Sequence, residues 1–345
     1  MKNDRTLEES NLVQYWIFGL SLISDYPFTS RLYKSTTEQN STTSSSELFF
    51  TCNHFPPPYL STEERNIVFS TPIPSTELEP QDKLYRFNDY EVFQFSAGVD
   101  FYLSPGKIYC HLRNPASKYL VELFLLGTVL AFWLERDLVP VLHASAVEID
   151  GRIAVFPSHS GNGKSTLAAA FLQQGAALLT DDILPLECQR DGFWGRPGLP
   201  QLNLWPDQGA KNITDDIEKF DAVVPDESKK RVPVEAVKNG AFCHEKQPLA
   251  CIYIPSKFDQ SSSTQSNIEI TPISSAEALI ELVRYSYFPP AIAEQMGWQA
   301  QRLDFFSRLV EQIPVRRLRY PVGFEHLPRV TEAVFQDLKN LPSQP

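Results

Sequence analysis

The chain predicts an α/β fold built around a phosphate-binding loop and preceded by a mostly-β region. Three observations predict it. A glycine loop lies between a strand pattern and a helix pattern, a pair of aspartates follows the next strand, and short aromatic, β-branched segments separated by turn residues precede both. Ile153-Ala154-Val155-Phe156 is a buried-strand pattern, and Thr166-Leu167-Ala168-Ala169-Ala170-Phe171-Leu172 is rich in helix formers and ends near Gly175. Between them stands Ser160-Gly161-Asn162-Gly163-Lys164-Ser165-Thr166. Glycines reach positive φ at no steric cost and let backbone N–H groups come close to phosphate oxygens. Lys164 supplies a point charge for β/γ-phosphates, and the Ser165 hydroxyl can ligate Mg²⁺. Ser158 occupies the place of the first glycine in the full G-x-x-x-x-G-K-[ST] pattern. The plainer alternative is a glycine turn followed by a helix N-cap at Ser165.

The elements ahead of the loop follow from local chemistry. Val13 to Ile23, Phe87 to Phe95 and Gly98 to Leu103 read as short strands. Ser35 to Glu47 has no apolar residue to bury and reads as a flexible loop or linker, and Pro56, Pro57 and Pro58 mark an extended or turn segment. The mostly-β region is therefore placed at residues 1–110 and the loop-bearing domain at 111–345. From Pro115 a long helix is expected, then a strand pair, Val139 to Ile149 and Arg152 to Pro157, joined at the hairpin signal Asp150-Gly151. Further strands are expected at Ala176 to Leu179, Ile183 to Glu187, Ala250 to Pro255 and Ile268 to Pro272. Helical periodicity marks Ala276 to Tyr287, Ile292 to Val310 and Leu327 to Leu341.

Composition removes several classes of function. A length of 345 residues fits one large or two modest domains. The formal charge of −11 argues against a nucleic-acid partner, because that binding needs clustered Lys and Arg to neutralise phosphates. Cys52, Cys110, Cys188, Cys243 and Cys251 are odd in number and contain no C-x-x-C, so neither a disulfide framework nor a zinc site is indicated, and a cytoplasmic setting fits. No secretory signal opens the chain. The longest apolar run, Leu120 to Leu134, is about 15 residues with Glu122 inside it, against the roughly 20 that a span requires. A buried helix and no membrane partner are expected.

Phosphoryl transfer is mostly positioning and electrostatics, so it needs cations, a metal and a base near the nucleophile. Asp181 and Asp182 stand at a strand end, where alternation sends neighbouring side chains to opposite faces unless the chain turns. One would accept the proton of the acceptor hydroxyl and the other would hold Mg²⁺, directly or through water. The residues leave open which does which; Ser165 with Asp182 is the metal pair expected. The alternative is two solvated acids in a turn or cap. His143 follows Val141-Leu142; it can tune a carboxylate or contact the γ-phosphate, or be a satisfied core histidine. His159 reads as a variable loop residue. Arg196, Arg231 and Arg284 are candidates for the transition-state charge, although Lys229-Lys230-Arg231 is equally an ordinary solvated run. Arg316, Arg317 and Arg319 suit surface ion pairs, and Trp205 and Phe193 suit either a peptide groove or core packing.

His143-Ala144-Ser145, Asp150-Gly151, Ser160-Gly161-Asn162-Gly163-Lys164-Ser165 and Asp181-Asp182 together resemble the catalytic domain of HPr serine kinase/phosphorylase. Gly198-Leu199-Pro200-Gln201-Leu202-Asn203-Leu204-Trp205-Pro206 and the early Ile17-Phe18-Gly19-Leu20-Ser21-Leu22 are similar to segments of the divergent HPr-kinase-related kinases found with lasso peptide biosynthesis. The resemblance covers Leu138 to Pro206 and extends to the flanks by order of elements. It implies an HPr-kinase-like fold over 111–345, ATP with Mg²⁺ as cofactors, and phosphoryl transfer to a serine hydroxyl. His143, Lys164, Asp181 and Asp182 would be catalytic; Ser160, Gly161, Asn162, Gly163, Lys164, Ser165 and Thr166 would hold the nucleotide. Gly195-Arg196-Pro197-Gly198 stands where the bifunctional enzymes carry Glu before Arg-Gly-Leu-Gly. That departure favours a dedicated kinase for another peptide or small protein, plausibly a lasso precursor, over HPr kinase itself. A small-molecule kinase and a non-catalytic nucleotide-binding regulatory protein are the alternatives, and a homo-oligomer is compatible with each. No Leu-Ser-Gly-Gly-Gln, His-Arg-Asp or Asp-Phe-Gly signature is present to suggest a transport ATPase or a eukaryotic-type protein kinase.

Overall fold

A computed structural model of the chain describes residues 12–34, 47–52, 66–70, 82–87, 89–159, 161–206, 213–214, 217–224, 228–258 and 267–341. Expectations placed on 35–46, on Pro56 to Pro58 and on Ser160 lie outside the described residues. The chain divides into two units, Met1–Val129 and Leu130–Pro345.

In the first unit nine strands pair among the described residues: β1 (Val13–Ile17), β2 (Leu20–Ser24), β3 (Tyr33–Lys34), β4 (Glu47–Cys52), β5 (Asn66–Ser70), β6 (Lys83–Phe87), β7 (Tyr90–Phe95), β8 (Val99–Ser104) and β9 (Lys107–Leu112). Their order is β3-β1-β2-β4-β9-β8-β7-β6-β5, antiparallel except where β4 runs parallel to β2 and β9. The β1–β2 hairpin turns through Phe18 and Gly19, both at positive φ, which matches the right-handed twist of the flanking strands. Helix α1 (Leu120–Phe124) follows.

The long helix expected from Pro115 forms in pieces. A π-helical turn, Leu125–Val129, with non-helical backbone at Gly127, separates α1 from α2 (Leu130–Arg136). Taken together, Pro115–Arg136 is long and apolar enough to cross a membrane by length and composition, which corrects the shorter span counted from sequence. Of its most apolar window, 67 % is buried inside protein.

The second unit begins its sheet with β10 (Val141–Leu142), β11 (Ala144–Ile149) and β12 (Arg152–Pro157). Strands β11 and β12 pair antiparallel through the predicted turn, with Asp150 at φ 52° and Gly151 at φ 79° as a primed turn requires. Then come α3 (Lys164–Gln173), β13 (Ala177–Thr180), β14 (Leu184–Gln189), β15 (Gly192–Gly195), β16 (Gln201–Leu204), β17 (Lys230–Pro233), β18 (Ala241–Phe242), β19 (Gln247–Phe258) and β20 (Glu269–Pro272). Helices α4 (Ser275–Arg284), α5 (Pro290–Gln295) and α6 (Gln299–Gln312), strand β21 (Val315–Pro321) and helix α7 (Leu327–Lys339) complete it. The single helix expected over Ile292 to Val310 is broken by Gly297 at φ 78°.

Strand directions place the chemistry. Both β12 and β13 run antiparallel to β11, and β19 runs parallel to β12. The carboxyl ends of β12, β13 and β19 therefore meet at one end of the sheet, where β11 begins. Open α/β sheets bind ligands at this end. Helix α3 leaves from it and is buried nearly all round, which accounts for its apolar composition on every face. Phe171 of α3 stacks on Phe156 of β12 at 5.0 Å and meets Phe335 of α7 edge-on at 5.6 Å. Removing the Phe171 ring would cost about 3–5 kcal/mol, so this ring anchors α3 to the sheet.

Candidate active site

The loop after β12 turns through Gly161 at φ 84° and Gly163 at φ 83°. Gly163 is the residue that caps α3, in a left-handed conformation and with no side-chain hydrogen bond. The alternative of an N-cap at Ser165 is thereby corrected: Lys164, Ser165 and Thr166 form the first turn, whose backbone N–H groups have no intrahelical acceptor. Ser158 does not adopt positive φ, so no glycine is required there; it is buried, its N–H donates to the His143 carbonyl at 3.2 Å and its hydroxyl to the His159 carbonyl at 3.2 Å.

The turn required to bring both aspartates together exists. Thr180 Oγ1 donates to the Ile183 carbonyl at 2.6 Å, and Asp182 adopts φ 72°. Asp181 Oδ1 accepts from Ser145 Oγ at 2.5 Å and from Ser165 Oγ at 3.1 Å, and its Oδ2 accepts from the Asn203 backbone N–H at 3.1 Å. Asp182 pairs with the Lys164 ammonium, accepts from Asn203 Nδ2 at 2.9 Å, and has His143 Nε2 3.6 Å away. The expected metal pair, Ser165 with Asp182, is thus not the pair in contact: the left-handed residue swings Asp182 to Lys164 and leaves Asp181 facing Ser165. Asn203, on β16, bridges the two carboxylates yet keeps a buried Oδ1 with no hydrogen-bond partner. A buried acceptor left this way costs about 1–3 kcal/mol.

The two acids are pushed apart in character. Burial, then the neighbouring Asp182 charge, raises Asp181 above the usual carboxylate range. Burial also opposes ionisation of Asp182, but the Lys164 and Lys229 ammonium groups outweigh it and hold this acid well below that range. Burial and the Lys164 charge together depress His143 to about 4, so it is a neutral imidazole near pH 7. The His143 backbone N–H donates to the Tyr285 carbonyl at 2.8 Å, which fixes the chain at the start of β11.

The other candidates are engaged elsewhere. Arg196 pairs with Glu187 at 2.8 Å, Arg231 donates to the Val223 carbonyl at 3.0 Å, and the exposed Arg284 pairs with the buried Glu281 at 3.0 Å. Arg316, Arg317 and Arg319 do form ion pairs, with Asp337, Glu277 and Glu269. Phe193 is fully buried in the core, whereas Trp205, two residues beyond Asn203, is 47 % exposed. Ser145, Asn203, Lys229 and Lys257 were not picked out as site residues from the sequence. Ser145 and Asn203 lie in segments that carry the resemblance and Lys229 in the basic run Lys229-Lys230-Arg231, but only tertiary pairing gives these side chains, and Lys257, a place beside the loop.

No protein-family model matches the chain, and no curated protein matches it in sequence. Among solved structures it is similar to the Hpr(Ser) kinase/phosphatase from Coxiella burnetii, at 12 % identity and a TM-score of 0.32, over 58 % of this chain and 95 % of that one. Nothing in the chemistry of the site is carried over from that likeness.

Proposed function

We propose that this site binds ATP with Mg²⁺ and transfers the γ-phosphate to a serine hydroxyl of a peptide or small protein, a lasso-type precursor being one such acceptor. One observation carries the reading: left-handed Gly161 and Gly163, the Lys164–Ser165 first turn of α3, and the divergent carboxylates Asp181 and Asp182 converge at the carboxyl end of the sheet. The loop amides and Lys164 suit a phosphate chain. The donors around Ser165 suit Mg²⁺, because Asp181, the Ser165 hydroxyl and the unpartnered Asn203 Oδ1 are all hard oxygens. Magnesium held there by Ser165 and Asp181 would neutralise phosphate charge.

Lys164 has a partner to exchange. Paired with Asp182, it is buried and 4 % exposed; drawn to the phosphates, it would release the strongest attraction that keeps Asp182 below the usual range. Asp182 would then take the proton of the acceptor hydroxyl as that oxygen bonds to the γ-phosphorus and the bond to the β-phosphate oxygen breaks, leaving ADP. His143, neutral and next to Asp182, positions this carboxylate without adding a cation. The departure at Gly195-Arg196-Pro197-Gly198 removes the motif on which the resemblance would rest a reverse, phosphorylase reaction.

The test is incubation with Mg²⁺ and γ-labelled ATP, with and without serine-containing peptides, alongside Lys164→Ala. Acid-stable label on a peptide, lost in the variant, is expected. Undiminished labelling by Lys164→Ala would sink the mechanism, and ATP binding by wild type with no labelled acceptor in cell extract would favour a regulatory role.

A further inference from the structure

Strand β19 outruns its neighbour. It pairs with β12 in parallel at Ile153↔Leu249, Ala154↔Cys251 and Val155↔Ile252, but continues to Phe258 after β12 has ended at Pro157. The overhang lies beside the loop that follows β12, and Lys257 is on it. Its ammonium occupies the space that a side chain at position 163 would need: a β-carbon on Gly163 would collide with Lys257 Nζ and lie 3.5 Å from Cε. Gly163 is thus required twice, once by its φ of 83° and once by the lysine against it.

This is an unfavourable place for an unaccompanied cation. Gly163 caps α3, whose N-terminal end carries partial positive charge, and Lys164 adds a full one next in sequence. Lys257 is half-buried, burial alone accounts for the downward shift of its ammonium, and among the described residues none forms an ion pair or hydrogen bond with that ammonium. The Asp182 carboxylate is paired with Lys164, not with Lys257. A lysine packed into a helix-start loop, without a counter-charge among the described residues, is complementary to a polyanion entering that loop.

We propose that Lys257 is a second lysine ligand of the nucleotide's phosphate chain, reaching over Gly163 from the end of β19 while Lys164 reaches from α3. This rests on the nucleotide-binding reading above, and it adds a residue outside the loop and helix that form the motif. The role is binding and positioning: the ammonium donates to phosphate oxygens and takes no part in bond making.

The experiment is equilibrium titration of the full chain with fluorescent ATP, ADP and AMP analogues, with Mg²⁺ present, for wild type, Lys257→Met and Lys257→Arg. Loss of one charge-assisted phosphate contact is expected to weaken ATP and ADP about 10- to 100-fold in Lys257→Met. AMP is expected to change far less, and Lys257→Arg to recover most of the loss. Thermal unfolding without nucleotide provides the control for folding: Lys257→Met should melt at or above the wild-type temperature, while its stabilisation by added ATP shrinks. Equal ATP affinity in Lys257→Met and wild type overturns the inference and leaves the nucleotide reading standing. Failure of wild type to bind ATP overturns both, and equal losses for AMP and ATP would mark Lys257 as structural.

Discussion

Two buried carboxylate sites, one in each unit, differ in how their charge is settled. Glu122 of α1 is 5 % exposed and accepts five hydrogen bonds, from the backbone N–H and hydroxyl of Thr29 and of Ser30. The carboxylate is satisfied without a cation. Asp181 and Asp182 are adjacent, repel one another, compete for Asn203 and Lys164, and border an amide oxygen with no donor. The first arrangement is complete as it stands. The second leaves one amide oxygen without a donor and two acids to share one lysine, the asymmetry on which the proposed binding role rests.

The largest effect expected from that contrast is on Asp181. Asp181→Asn removes a charge that the fold disfavours, and its amide nitrogen can donate to the Ser145 and Ser165 hydroxyls, which can turn to accept, while its oxygen keeps the Asn203 N–H, so the ligand-free protein should be as stable as wild type or slightly more so. Transfer from ATP should fall by roughly 10³-fold, in line with loss of a preorganised electrostatic group. Acceptor labelling and a urea melt on the same preparation check both halves, and a variant that is destabilised yet active would reverse the assignment.

Glu122→Gln should show the opposite. The amide nitrogen would face donors that need an acceptor, at a cost of about 2–4 kcal/mol of stability. Urea unfolding of the two variants side by side is the measurement; Glu122→Gln without a loss would remove the distinction between the sites.

Much of the second site was legible because its signal is local. Gly161 to Ser165 form one short stretch in which a glycine turn opens a helix, and Asp150-Gly151 is a dipeptide that tolerates the positive φ a tight hairpin turn needs. The division of labour between Asp181 and Asp182 was not legible, since it depends on the single left-handed φ of Asp182, which a strand-end pattern does not reveal. The roles of Asn203, quoted only as part of a longer segment, and of Lys257 were not legible for another reason. Each is an ordinary residue in a strand, and only the register of β16 beside Asp181 and the overhang of β19 past β12 give them a role. The pieces of the Pro115–Arg136 helix were likewise hidden, because continuous apolar composition does not show where Gly127 departs from helical backbone. Glu122 was read only as a charge interrupting an apolar run, whereas its partners lie about 90 residues away in sequence.

A smaller effect separates the histidine from both carboxylate sites. His143 is depressed from 6.5 to about 4, so between those pH values the unfolded chain binds a proton that the folded chain refuses. Stability therefore rises with pH across this window and is lost as pH falls through it, by at most about 3 kcal/mol. Asp181, raised by burial, contributes with the opposite sign above the usual carboxylate pKa, so wild type alone does not isolate the histidine. The difference between wild type and His143→Gln does: urea midpoints measured at steps from pH 7 to pH 4 should diverge less as the pH falls if the imidazole is the group refusing the proton. Parallel curves would place the titration elsewhere.

The smallest effect belongs to a third kind of carboxylate, one settled by solvent. Arg319 on β21 lies 3.3 Å from Glu269 on β20, with side chains 47 % and 35 % exposed. The two strands are already joined by backbone pairing from Glu269↔Arg319 to Pro272↔Arg316, so the ion pair adds little that the ladder does not supply. Water and salt screen what attraction remains, and Arg319→Ala should change stability by no more than about 0.5 kcal/mol, less still at high salt. The arginine also lies 5.7 Å over the Phe258 ring at the end of β19, next to Lys257. A loss well above that limit, unmoved by salt, would mean that Arg319 acts through this ring and helps hold the β19 overhang against the loop, linking the third site to the second.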